Sequence, residues 1–163
     1  MDEERREKLM NLSDMVDNLY KRGRQSRSME NSPRYYGSDI LLYPNEVYTL
    51  KAIAQNEGIN QTELTKVMFR TKGATSVVVR KLVNKKLVEQ RSEEEDLRVS
   101  RLYPTQKGLE VYRAHLEYDL KYLDQLADRL NISLDDLITA NRVLRILIRS
   151  FDERREAEKK EER

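Results

Sequence analysis

Two features of this 163-residue sequence predict a mainly α (α+β) fold. Apolar residues recur at three- and four-residue spacing in six separate stretches, the signature of amphipathic helices. Only one pair of runs, "LVEQR" and "RVSRLY", reads as a β-hairpin. The resulting order is helix, helix, helix, helix, hairpin, long helix, helix. Its centre is a helix-turn-helix followed by a hairpin wing.

The first helix spans about residues 4–23, where Leu9, Leu12, Met15, Val16, Leu19 and Tyr20 form one stripe. A Pro/Gly/Ser-containing loop follows, and "DILLY" reads as a short extended stretch. Pro44 suits a first helical turn, where a missing amide hydrogen costs nothing. Val47, Leu50, Ile53 and Ala54 make the inner face of that helix, and Gly58 ends it. Asn60 and Glu63 have capping-box spacing at the start of "QTELTKVMF". Thr71 caps the next helix, whose Val78, Leu82 and Val83 face inward while Arg80, Lys81 and Lys85 face elsewhere. Thr105 caps a long helix, about 106–130, with Leu109, Tyr112, Leu116, Leu120 and Leu123 on one face. Asn131 breaks it. Ser133 and Asp136 start the last helix, with a stripe of Leu137, Leu144, Leu147, Ile148 and Phe151, and a tail of alternating charge.

Composition removes several function classes. Hydrophobic content is 38% and charged content 37%, enough for a lean core that leaves part of the burial to a partner subunit. The absence of cysteine excludes disulfides, thiolate metal sites and thiol chemistry, and fits a cytoplasmic protein. A zinc site lacks Cys and His ligands, and His115, the one histidine, suits packing or the surface. With no phosphate-binding glycine loop and no nucleophile–base pair, an enzyme is not expected, nor is a cofactor. The N-terminus "MDEERREKLM" is too charged for a secretory signal, and no apolar run approaches the ~18 residues of a membrane span.

Net charge is only +2, so distribution carries the argument about partners. Between Leu64 and Arg91 stand eight Lys/Arg (66, 70, 72, 80, 81, 85, 86 and 91) against one acid, Glu89. A helix-turn-helix presents the N-terminus of its second helix to base edges in the major groove. Here that N-terminus is "TKGATS". Gly73 and Ala74 are small enough for close approach, while Lys72, Thr75 and Ser76 reach phosphates or bases. Arg70, Thr71, Arg80 and Lys81 complete the expected DNA-binding surface on these helices. First-turn amides favour a phosphate there.

At this point the chain resembles the MarR family of winged-helix transcriptional regulators. The resemblance runs without gaps from Glu63 to Gly108. It covers the helix-turn-helix, the leucine-valine start of the strand, an Asp-x-Arg wing at Asp96 and Arg98, and a Thr-x-x-Gly helix start at Thr105 and Gly108. It implies that Arg98 enters the minor groove while Asp96 orients basic wing side chains, in keeping with arginine's fit to narrow minor grooves. So a carboxylate in the acidic tip, Glu93 to Asp96, has a positioning role beside a DNA reader. Lys86 stands where the family often has Gly, Gln90 where a second Arg is common, and Pro104 where Leu is usual.

The resemblance further implies a homodimer with N- and C-terminal helices forming a dimerisation arm, bound to a pseudo-palindromic operator of double-stranded DNA. The expected organisation is 1–38, N-terminal dimerisation helix and loop; 39–105, winged helix-turn-helix lobe; and 106–163, C-terminal dimerisation helices. It implies a small aromatic effector that relieves repression, for which Tyr20, Tyr36, Tyr43, Tyr48 and Tyr112 are the candidate lining. The alternative is a winged-helix protein–protein interaction module, which weak salt dependence would mark.

Overall fold

The computed structural model describes residues 2–6, 10, 14–15, 17–19, 21, 32–92 and 100–161; beyond residue 150 it describes only the side chains of 153, 154 and 158. The chain divides into two compact units, Met1–Tyr118 and Asp119–Arg163.

In the first unit, every described residue from 3 to 21 is helical. Leu9, Leu12, Val16 and Tyr20 of the expected stripe lie outside the described residues. The "DILLY" stretch is not a strand. Leu42 alone pairs, through an isolated antiparallel bridge to Arg34, and its side chain is fully buried. Helix α1 (Pro44–Gln55) begins with proline in its first turn. Its buried face is Val47, Leu50, Ala52 and Ile53; Ala54 is only half-buried, so Ala52 takes the place expected for it. Gly58 (φ +81°) turns the chain into β1 (Ile59–Asn60).

Helix α2 (Gln61–Val67) carries the reciprocal cap that its sequence predicts. Asn60 Oδ1 accepts from the Glu63 amide at 2.9 Å, and Glu63 Oε2 accepts from the Asn60 amide at 3.0 Å. The helix stops short of the expected "MF" because Phe69 adopts a left-handed φ of 49°. Helix α3 (Lys72–Asn84) then starts at Thr71, whose hydroxyl accepts from the Ala74 amide at 3.2 Å.

Strands β2 (Val88–Ser92) and β3 (Ser100–Pro104) form the hairpin, and β1 joins β3 to give the antiparallel order β1-β3-β2. The register sets Glu89 opposite Tyr103 and Arg91 opposite Arg101. The alternate residues Val88, Leu102 and Pro104 face the core. Leu50, Ile53, Leu64, Leu82, Leu87 and Leu102 are fully buried and weld α1, α2, α3 and the sheet together. Each such side chain contributes about 1.5–3 kcal/mol by leaving water.

Helix α4 (Gln106–Leu130) is locked to the base of the wing at its first turn. The Thr105 hydroxyl accepts from the Gly108 amide at 3.0 Å and donates to the Lys86 carbonyl at 2.7 Å. Gly108 lies against the Leu87 carbonyl so closely that a Cβ would sit 2.0 Å from that oxygen. The Thr-x-x-Gly pattern is therefore a helix cap plus a contact that only glycine permits. In this unit α4 buries Gly108, Val111 and His115, while Leu109, Tyr112 and Leu116 are half-buried. The buried face thus lies one residue round the helix from the expected stripe.

In the second unit, Leu120 and Leu123 are half exposed. Asn131 ends α4 with φ 50°. Helix α5 (Leu134–Glu161) starts from a cap in which the Asp136 amide donates to Ser133 Oγ at 3.1 Å. Its Leu137, Ile138, Ile146 and Ile148 are exposed. Among the described residues, no helix is long and apolar enough to cross a membrane.

Candidate nucleic-acid interface

Helix α3 is anchored on one side by Thr75, Val78, Val79 and Leu82, all buried. At about 100° per residue the opposite pole carries Gly73, Val77, Arg80 and Asn84, all exposed. Lys72 and Lys81 are exposed on its flanks, and Ser76 is half-buried. Lys81 Nζ stands 5.5 Å from the ring centre of Tyr43, a cation–π contact that steadies it. The helix end is accessible, and its first-turn amides carry the partial positive charge that favours an anion.

One expected DNA contact, Thr75, needs correction, and one cation of the basic run, Lys85, is committed to the fold. Thr75 is 1% exposed, and its hydroxyl donates to the Thr71 carbonyl at 3.0 Å. It is a core residue and reaches no base, because its position on the helix is the buried pole. Lys85 is taken up by the fold: its ammonium donates to Glu46 Oε2 at 2.7 Å and to the Leu41 carbonyl at 3.0 Å. Glu46 is itself buried and accepts from the Tyr43 amide at 2.8 Å, so one carboxylate caps α1 and holds the end of α3.

Arg70 is half-buried, and its Nη1 donates to Thr49 Oγ1 at 3.2 Å, which ties the turn to α1. Thr71 is exposed as the cap of α3. Asp96 and Arg98 lie outside the described residues.

Sequence reasoning missed two features. One is Val77, a large apolar side chain at the outer pole of α3, 49% exposed. The other is the conformation of Arg91 near the outer end of β2. Its guanidinium lies 4.4 Å from the Tyr103 ring centre and is paired with Glu89. Strand alternation carries that second signal, because Glu89, Arg91, Arg101 and Tyr103 share one face of the hairpin.

The tyrosines separate into groups. Tyr36 is buried, and its ring centre lies 5.3 Å from that of His115 and 5.8 Å from that of Tyr118. Tyr48, half exposed, meets His115 edge-on at 5.7 Å. His115 is fully buried at the middle of this cluster. Gly37 (φ +75°) lets the loop press on α4, where a Cβ would meet the Ala114 carbonyl oxygen at 2.9 Å. A groove of about 520 Å³ beside it is lined by Ser38, Asp39, Lys107, Glu110, Val111 and Ala114, among others. Tyr43 belongs elsewhere: its ring faces Lys81 and not His115, because it precedes α1 at the end nearer α3. Tyr112 is half-buried on α4, and Tyr20 lies outside the described residues.

The MarR family model matches residues 42–98 of the chain. No match was found among curated protein sequences. Solved structures of similar fold include FabT of Streptococcus pneumoniae in complex with DNA, 18% identical, covering 89% of this chain and 98% of that one with a TM-score of 0.60. The transcriptional regulator SlyA is 16% identical, covering 86% and 95%, with a TM-score of 0.69. The PcaV transcriptional regulator from Streptomyces coelicolor, in complex with its natural ligand, is 18% identical and covers 80% and 89%, with a TM-score of 0.61. At these identities the likeness establishes the fold.

Proposed function

We propose, from the match of residues 42–98 to the MarR family model, that the chain is a sequence-specific DNA-binding regulator of transcription, a repressor acting as a homodimer. The observation that carries this reading is the outer face of α3. It is exposed, it is flanked by Lys72, Arg80 and Lys81, and it sits on a helix whose opposite face is locked into the core. α3 enters the major groove, with Gly73 and Ser76 at base edges and Lys72, Arg80 and Lys81 at phosphates or bases. Thr71 and Arg70 hold the turn before it. Arg98 on the wing reaches the minor groove, with Asp96 orienting it.

The terminal helices supply the dimer interface. Support comes from the apolar side chains they expose in a single chain, among them Leu120, Leu123, Leu137 and Ile148. A twofold dimer presents two α3 helices to half-sites about one helical turn apart, so the operator is pseudo-palindromic. A small aromatic effector binds beside Tyr36 and Tyr48, where edge-to-face packing already favours rings. The protein is cytoplasmic.

The test is selection of bound fragments from the source organism's own DNA. An enriched inverted repeat is expected. If no sequence is enriched, the reading is wrong and the wing serves a protein partner.

A further inference from the structure

Val77 and Gly73 are one turn apart on the outer pole of α3, and the fold itself explains neither. Val77 stands roughly 150° round the helix from the centre of the buried arc at Thr75, Val78, Val79 and Leu82. It is 49% exposed and is flanked by Arg80 and Lys81, also exposed. A branched apolar side chain there gains little from folding, and valine is a mediocre helix former. Gly73 is equally unforced. A Cβ at that position meets nothing within 4 Å, and its φ does not require glycine. Glycine within a helix costs about 0.5–1 kcal/mol relative to alanine. The two oddities fit together, because a helical side chain leans toward the N-terminus over the preceding turn. Val77 thus stands one turn beyond Gly73 on the same pole, and the space over the Gly73 backbone is open, so the two make a small shelf with an apolar wall near the end of the helix that meets base edges.

We propose that this shelf reads the C5-methyl group of a thymine, which is the one apolar group that base pairs present in the major groove. Gly73 lets the helix backbone come close enough for Val77 to cover the methyl. Arg80 and Lys81 supply the charge that holds the phosphates on either side. The inference rests on the DNA-binding reading above and names the base chemistry of the same surface.

The experiment uses the full-length protein and a duplex selected from random DNA. Each thymine of the selected half-site is replaced in turn by deoxyuridine, which deletes only the methyl. At one thymine per half-site, affinity should fall roughly three- to fivefold, the worth of one buried methyl. The Val77→Ser protein, altered only at an exposed position, should bind thymine and deoxyuridine duplexes equally while keeping the melting temperature of the parent. Equal binding of all duplexes by the parent protein would overturn the inference, and so would a half-site without thymine. It would also be overturned if Val77→Ser kept the full discrimination, because another residue would then read the methyl. Selection that yields no preferred sequence defeats the DNA-binding reading as well, and is told apart from the other outcomes at that first step.

Discussion

Lys85 Nζ lies 2.7 Å from Glu46 Oε2, and this pair joins the end of the candidate recognition helix to the first turn of α1. The carboxylate is 1% exposed and the lysine side chain 32%. Removing the cation leaves a buried charge that still accepts from the Tyr43 amide but has lost its ion-pair partner. Breaking a fully buried pair costs about 3–5 kcal/mol, and the partial exposure of Lys85 lowers that to roughly 2 kcal/mol. Lys85→Ala should therefore lower the urea midpoint. It should leave the salt dependence of DNA affinity unchanged, since this ammonium is committed to Glu46. An unchanged midpoint with a shallower salt slope would make Lys85 a phosphate contact instead.

Gly73→Ala should separate stability from binding. The new methyl meets empty space, so the fold should gain about 0.5 kcal/mol from helix propensity. DNA affinity should fall, because the methyl occupies the space left for a base pair. Thermal melting and a binding titration on the same sample decide this. A loss of stability, or undiminished binding, would show that Gly73 serves the fold.

Gly108→Ala should be the most damaging small substitution in the described lobe. Its Cβ would stand 2.0 Å from the Leu87 carbonyl oxygen, a backbone atom that moves only with the strand. The expected loss is about 3 kcal/mol, the upper part of the usual range for single substitutions. Thr105→Ala removes one cap and should cost about 1 kcal/mol. If the two variants melt alike, the close approach does not govern this junction.

Lys86 leaves α3 with φ 58°, a conformation that costs a residue with a side chain about 1–2 kcal/mol. Lys86→Gly should raise stability by about 0.5–1 kcal/mol after glycine's greater unfolded-state freedom is counted. A drop in the denaturation midpoint would mean that the lysine side chain contributes a contact worth more than the strain.

How much of this was legible in the sequence follows from the range of the interactions. The caps at Asn60, Thr71, Thr105 and Ser133 involve partners three residues away and could be read directly. The helix-turn-helix order and the presence of the hairpin also follow from local periodicity. Thr75 was misplaced because it sits beside true surface residues in sequence but at the buried pole of the helix. Lys85 looked like one more cation of the basic run, and its partner lies 39 positions away on α1. On α4 the hydrophobic stripe was legible, but the side turned to the lobe is the adjacent one, with Gly108, Val111 and His115. No periodicity announces that a histidine or a glycine will be the packing residue. Tyrosine count alone could not tell Tyr43, turned to Lys81, from Tyr36 and Tyr48, turned to His115.

The central claim is that α3 and the wing bind duplex DNA through a basic face presented twice by a dimer. Its most direct test is titration of the selected duplex at several salt concentrations, with stoichiometry measured at each. The expected result is two protomers per site and log K falling against log salt with a slope steeper than about −4, since each phosphate neutralised contributes about −0.9. A flat salt dependence, or one protomer on a site with no symmetry, would contradict it.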